Sequence, residues 1–210
     1  MATLQLGVLV SGTGTNLQAI IDAVQSGSLD ARLNLVISNK PGVKALERAE
    51  EARVPTRVIP HKDFPTREAF EQALLAALRD AQVKWVVLAG FMRVLTPHFV
   101  RSYAGHIINI HPALLPSFPG VHAQRQALDY GAKVSGCTVH LVDEGVDTGP
   151  ILGQRAVEVL DRDSESELAA RILREEHRLL VDVLAWFAAD RVTVLPGEPG
   201  KRPKVVIRDA

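Results

Sequence analysis

The sequence predicts an α/β fold, in which a mostly parallel sheet carries helices on both faces and turns antiparallel towards its C-terminal end. Short β-branched apolar runs alternate with segments of helical periodicity through the first half of the chain, the pattern of successive βαβ units. A glycine turn interrupts the first of these runs and opens a helix, a Rossmann-like beginning. Farther on, two extended runs, 134–142 and 151–159, lie too close together for a helical crossover, which makes them an antiparallel pair.

A chain of 210 residues is most simply one domain, here 1–195, followed by a tail at 196–210 that ends in a short edge strand. Hydrophobic residues make up 47% and charged residues 23%, and 24 basic side chains balance 24 acidic ones. Such a chain has no net field to draw nucleic acid or an acidic membrane surface, so small molecules are the expected partners. Cys137 is the single cysteine, which excludes an intrachain disulfide and a zinc site built from several thiolates. The first ten residues lack a basic segment, and no apolar run approaches the ~18 residues of a membrane span. The expected setting is the reducing cytoplasm.

The elements follow in order. Residues 6–10 read as a strand buried on both faces, and Leu17, Ile20, Ile21 and Val24 mark a helix that Gly27 closes. Between them, Ser11-Gly12-Thr13-Gly14-Thr15-Asn16 suits phosphate. Its glycines admit close backbone approach, the first helical N–H groups point outward, and the hydroxyls of Ser11, Thr13 and Thr15 add donors. A tight turn without ligand is the alternative. The dinucleotide fingerprint fails, because Leu17 stands where its third glycine belongs and Ser38-Asn39-Lys40 where its acidic residue belongs; a Gly-Lys-Ser/Thr loop is absent. Residues 32–38 form a second strand, 43–52 a helix and 56–59 a third strand. In the helix 66–81, Thr66 is the N-cap, Phe70, Leu74, Leu75 and Leu78 face inward, and Arg67 is exposed at the start.

A fourth strand at 85–89 runs into Gly90-Phe91-Met92-Arg93-Val94-Leu95-Thr96-Pro97, an apolar loop past a strand end. It reads either as the wall of a flat hydrophobic ligand or as satellite core, with Pro97 starting a short helix. The strand 107–111 puts Asn109 and His111 on one face, and Pro112 and Pro116 stop it there. The pair therefore sits at a strand's carboxyl end, where open α/β sheets bind ligands; a capped strand end with a satisfied histidine is the alternative. A helix at 123–130 ends at Gly131. The acidic turn 143–150 lies between the antiparallel strands and fits turn chemistry or a metal site, with His140 read as packed or exposed structure. The last long helix, 164–189, has Ser164 and Glu167 as a capping box, a stripe from Leu168 to Phe187, and Glu176 and His177 on a solvated face.

Four segments in this order, 11–20, 90–93, 109–116 and 136–150, resemble the phosphoribosylglycinamide formyltransferase family over nearly the whole chain. The resemblance implies a single formyltransferase domain that transfers a formyl group from 10-formyltetrahydrofolate, its co-substrate, to the amine of 5′-phosphoribosylglycinamide in de novo purine (IMP) synthesis. It implies no metal, and a monomer or homodimer. It assigns Gly14, Thr15 and Asn16 to the ribonucleotide phosphate and Glu176 to its reacting end. It places Met92, Arg93, Val94 and Leu95 along the pterin, Arg67 at the carboxylate-bearing portion of the folate, and Asp143, Glu144, Gly145, Val146 and Asp147 as a loop closing over the ring. Asn109, His111 and Asp147 are the implied catalytic residues, Asn109 also touching the folate. Ala113 departs from the family, where many members have serine.

Two relatives share the formyl-folate chemistry, methionyl-tRNA formyltransferase and formyltetrahydrofolate deformylase (a hydrolase); each carries an additional domain that 210 residues do not accommodate. A non-catalytic nucleotide-binding module on the same scaffold is the rival from another class, and it has no reason to bring Asn109, His111 and Asp147 together. The acidic loop, with glycines among short polar residues, is expected to be mobile when empty.

Overall fold

The computed structural model describes residues 3–197 and 202–209. In chain order the elements are β1 (Leu4–Val10), α1 (Thr15–Gln25), β2 (Ala31–Ser38), α2 (Lys44–Glu51), β3 (Thr56–Val58), α3 (Arg67–Asp80), β4 (Trp85–Leu88), α4 (Pro97–Ser102) and β5 (Ile107–His111). They continue with α5 (Ala123–Tyr130), β6 (Val134–Leu141), β7 (Ile151–Glu158), α6 (Glu165–Ala188), β8 (Val192–Leu195) and β9 (Lys204–Ile207). Seven strands form one sheet in the order β3-β2-β1-β4-β5-β6-β7. The pairings from β3 through β5 are parallel, and β6 and β7 run antiparallel. The strand order reverses between β1 and β4, which opens a crevice at their carboxyl ends.

Strand side chains alternate between two cores. Val8, Val10, Val36, Val87, Ile108 and Ile110 pack with α1, α2, α5 and α6 on one face, while Leu9, Ile37, Val86, Leu88 and Ile107 pack with α3 and α4 on the other. The alternation puts Asn109 and His111 on the face of Ile107. The helices there, α3 and α4, pack with β1, β2, β4 and Ile107 at the start of β5, while the loop residues Phe118 and Asp147 stand against its polar end.

Helix ends follow the predicted chemistry. Thr66 accepts from Ala69 N–H, Thr96 accepts from Phe99 N–H with Pro97 behind it, and Ser164 with Glu167 forms the capping box of α6. Gly27 and Gly131 take the left-handed backbone just past α1 and at the end of α5. The tail differs from expectation. Residues 204–207 do not extend the main sheet; β9 pairs antiparallel with β8, a strand not anticipated, in a separate two-stranded ribbon. The charged spacing of this short segment does not specify its partner, and tertiary contact does. Residues 198–201 of the expected loose tail lie outside the described residues. Among the described residues, no helix is long and apolar enough to cross a membrane.

Gly7 lies where β1 meets α3: a Cβ there would stand 2.8 Å from a Leu78 methyl and 2.9 Å from both Val83 methyls. Gly7→Ala is expected to lower unfolding stability by about 1–3 kcal/mol through overpacking, read from the denaturant midpoint; an unchanged midpoint would show that the two side chains give way freely.

Candidate active site

The antiparallel register of β5 and β6 sets Asn109 directly opposite His140, so the two side chains share a face. His140 Nδ1–H donates to the Leu141 carbonyl at 2.9 Å. In the neutral ring its Nε2 then accepts from the Asn109 amide nitrogen, 3.1 Å away, and Asn109 keeps a second N–H for another acceptor. Asp147 closes the group. One of its oxygens lies 3.6 Å from His140 Nε2 and the other 3.4 Å from His111 Nδ1. Asn109, His140, Asp147 and His111 are thus one connected cluster, with both imidazoles almost fully buried.

The loop backbone completes it. Phe118, at φ 53°, presents its carbonyl to His111 Nε2 at 2.8 Å, and Gly120 N–H donates to Asp147 at 2.8 Å. Asp147 itself sits in the left-handed region at φ 54°, a conformation that aspartate tolerates better than most residues. Burial pushes its carboxyl upward. The neighbouring His140 ring, the Gly120 N–H and the His111 ring outweigh that burial, so the acid is held below its ordinary value and stays a carboxylate.

One expectation needs correcting here. His140, read as inert structure, is the link between Asn109 and Asp147; the antiparallel register alone could have found it, since it lies opposite Asn109. His111 has no spare donor in this arrangement, because Nε2 is committed to Phe118 and Nδ1 faces Asp147. An acceptor in the site must compete with the Phe118 carbonyl.

Beside this cluster, the glycine turn joins β1 to α1. Gly14 is the N-cap at φ 70°, and a Cβ there would lie 2.5 Å from that of Ala45, so the turn is closed to larger residues. Thr15 is half-buried and leads the first helical turn. Asn16 turns inward, its amide nitrogen 2.8 Å from Glu176 on α6, and its own oxygen is buried without a partner among the described residues. Glu176, expected on a solvated face, is 7% exposed. Burial raises its pKa above the usual carboxyl range, partly offset by the Asn16 hydrogen bond. Neighbouring Cys137 is also buried; burial and the Glu176 charge push its thiol up to about 12, which leaves it protonated and inert. Ser11 is not a free phosphate donor as expected. Its hydroxyl is buried, donating to Asn39 and accepting from Met92 N–H.

The apolar loop after β4 divides its side chains. Met92 and Val94 are 68% and 58% exposed, Arg93 is half-buried, and Leu95 packs into the core with Phe91 and Phe99. Leu95 can therefore meet a ligand only through its backbone. Arg67 is exposed at the start of α3. In the acidic loop, Asp143 accepts from Gly145 N–H and from the Thr148 hydroxyl, Glu144 pairs with Arg101 at 2.9 Å, and Gly145 and Val146 are exposed. Asp143 and Glu144 thus serve the turn and its surface while Asp147 turns to the imidazoles, and among the described residues no group of three or more His, Cys, Asp or Glu is placed to hold a metal.

A family model described as formyl transferase matches residues 4–184. The chain is 50% identical over 194 residues to a trifunctional purine biosynthetic protein, adenosine-3, of Drosophila melanogaster, with 91% of this chain and 14% of that protein covered. It thus spans only a small part of that relative's length. It is 43% identical over 185 residues to phosphoribosylglycinamide formyltransferase of Escherichia coli, covering 88% and 87% of the two chains. The crystal structure of glycinamide ribonucleotide transformylase 1 from Symbiobacterium toebii superposes with a TM-score of 0.93 at 43% identity, covering 99% and 95%.

Glu176 carries a pH signature. A carboxyl whose folded pKa is raised contributes stability that is present below its unfolded value and lost as pH rises through the folded one. Glu176→Gln is therefore expected to melt at a higher temperature than the parent at pH 7–8, the gap closing towards pH 4. A gap independent of pH would show that ionisation of Glu176 does not burden the fold.

Proposed function

Because this chain belongs to the formyl transferase family, we infer that it is a phosphoribosylglycinamide formyltransferase, moving a formyl group from 10-formyltetrahydrofolate to the amine of 5′-phosphoribosylglycinamide in purine synthesis. The observation that carries the reading is the cluster of an amide, two imidazoles and a carboxylate at the end of β5, beside a glycine turn fit for phosphate. A binding module has no use for that wiring.

In this reading the ribonucleotide phosphate rests on Gly14, Thr15 and the first N–H groups of α1, with Asn16 and Glu176 turned towards its glycinamide end. The folate lies along Met92, Arg93, Val94 and the Leu95 backbone, with Arg67 near its carboxylates and 143–147 folded over the ring. The neutral amine attacks the formyl carbon, and negative charge collects on the formyl oxygen. Asn109 offers its uncommitted N–H to that oxygen, and His111 offers Nε2–H in competition with the Phe118 carbonyl. A proton leaves the new C–N nitrogen and reaches the departing folate N10; Asp147, held ionised, assists that transfer through water and orients both imidazoles. The formyl C–N10 bond breaks as the intermediate collapses, giving tetrahydrofolate and the formylated ribonucleotide. No step calls on a covalent enzyme intermediate or a metal.

Asn109→Ala and His111→Ala are each expected to slow formyl transfer about 10²–10³-fold while melting within a few degrees of the parent. The assay follows tetrahydrofolate release by absorbance, with and without the ribonucleotide. Release that needs the ribonucleotide supports transfer, release without it indicates a hydrolase, and no release with retained nucleotide binding indicates a non-catalytic module.

A further inference from the structure

Glu71 is the charged side chain that the chemistry above leaves unexplained. It lies on the inner face of α3 and is 1% exposed. Among the described residues, no lysine, arginine or histidine is within ion-pair distance of it. A buried carboxylate without a cation is costly, and an apolar residue at this inward position would pack as its neighbours Phe70, Leu74 and Leu75 do. What Glu71 does hold is Thr96. One oxygen accepts the Thr96 backbone N–H at 2.8 Å, and the other accepts the Thr96 hydroxyl. The same hydroxyl caps α4 by accepting from Phe99 N–H.

Thr96 is the downstream end of the segment that carries Met92, Arg93 and Val94. The upstream end is fixed as well, since Met92 N–H donates to the buried Ser11 hydroxyl at 2.9 Å and Ser11 donates in turn to Asn39 at 2.7 Å. The segment between the two anchors forms neither helix nor strand, and two of its three side chains are mostly in solvent. Its shape is therefore set by its ends.

We propose that Glu71 is a positioning residue for formyl transfer, clamping Thr96 so that the exposed 92–95 segment is already in place to receive the folate. This rests on the assignment of that segment to the folate. Hydrogen-bonding capacity is what suits the position. A carboxylate takes both Thr96 donors at once, whereas an apolar residue would leave a buried N–H and hydroxyl unpaired, and the strap would loosen to find water. A strap that must order itself on binding loses folate affinity, whereas the ribonucleotide site, formed by α1 and α6, is untouched.

The test compares the parent with Glu71→Leu and Glu71→Gln, and Thr96→Val with Thr96→Ser. Tetrahydrofolate and the ribonucleotide are titrated separately by calorimetry, and amide hydrogen exchange is followed along the chain. Glu71→Leu is expected to weaken tetrahydrofolate at least tenfold, leave the ribonucleotide within twofold, and speed exchange at 92–96. Glu71→Gln and Thr96→Ser, which keep most of the hydrogen bonds, should stay within about threefold. If Glu71→Leu does not fold, Thr96→Val decides in the same way. Unchanged exchange at 92–96, or equal losses for both ligands, overturns the proposal. If the parent itself fails to bind tetrahydrofolate, the folate assignment fails, and exchange at 92–96 still decides whether Glu71 clamps the strap.

Discussion

The reversal of strand direction between β5 and β6 is the constraint on which the rest of the site depends. Parallel pairing would offset facing residues. Antiparallel pairing of β5 with β6 instead sets His140 beside Asn109, and antiparallel pairing of β6 with β7 returns the chain in the short acidic loop whose Asp147 reaches both imidazoles. Every member of that group is a buried or half-buried polar side chain whose desolvation the others partly offset. The backbone of 118–120 supplies the remaining partners, accepting a hydrogen bond from His111 and donating one to Asp147.

The sheet keeps two polar groups apart. Asn16 and Glu176 belong to the face packed by α1 and α6, while Asn109, His111 and the 92–95 strap belong to the face of α3 and α4. The carboxyl ends of β1, β4 and β5 are where the two environments meet, at the point where the strand order reverses. Stability is given up on both sides. Glu176 is a carboxyl raised by burial, and Glu71 is a buried acid held by the Thr96 N–H and hydroxyl.

Some of this was legible in the residues and some was not. The strands of the main sheet, the caps Thr66, Thr96 and Ser164, and the shared face of Asn109 and His111 follow from periodicity, capping chemistry and the two-residue repeat of a strand. Ser11 was misread because a hydroxyl in a glycine turn looks free until the buried side chain of Asn39 is seen beneath it. By spacing alone Glu176, next to a histidine on a long helix, resembles part of a solvated face, and only the packing of α6 against α1 shows that this part of the helix is covered. His140 needed the exact register of a long-range pairing, and Glu71 needed the return of a loop 25 residues later in the chain.

The sequence by itself determined the order and kind of elements, the place of the glycine turn, the strand end that carries Asn109 and His111, and the resemblance that joins them to formyl transfer. These are local properties, written in spacings of two to four residues. The tertiary structure decided which polar groups meet: His140 with Asn109, Glu176 with Asn16, Glu71 with Thr96, and β9 with β8. Those contacts join residues far apart in the chain, and they are fixed by the need of each buried donor and acceptor to find a partner once water has been excluded.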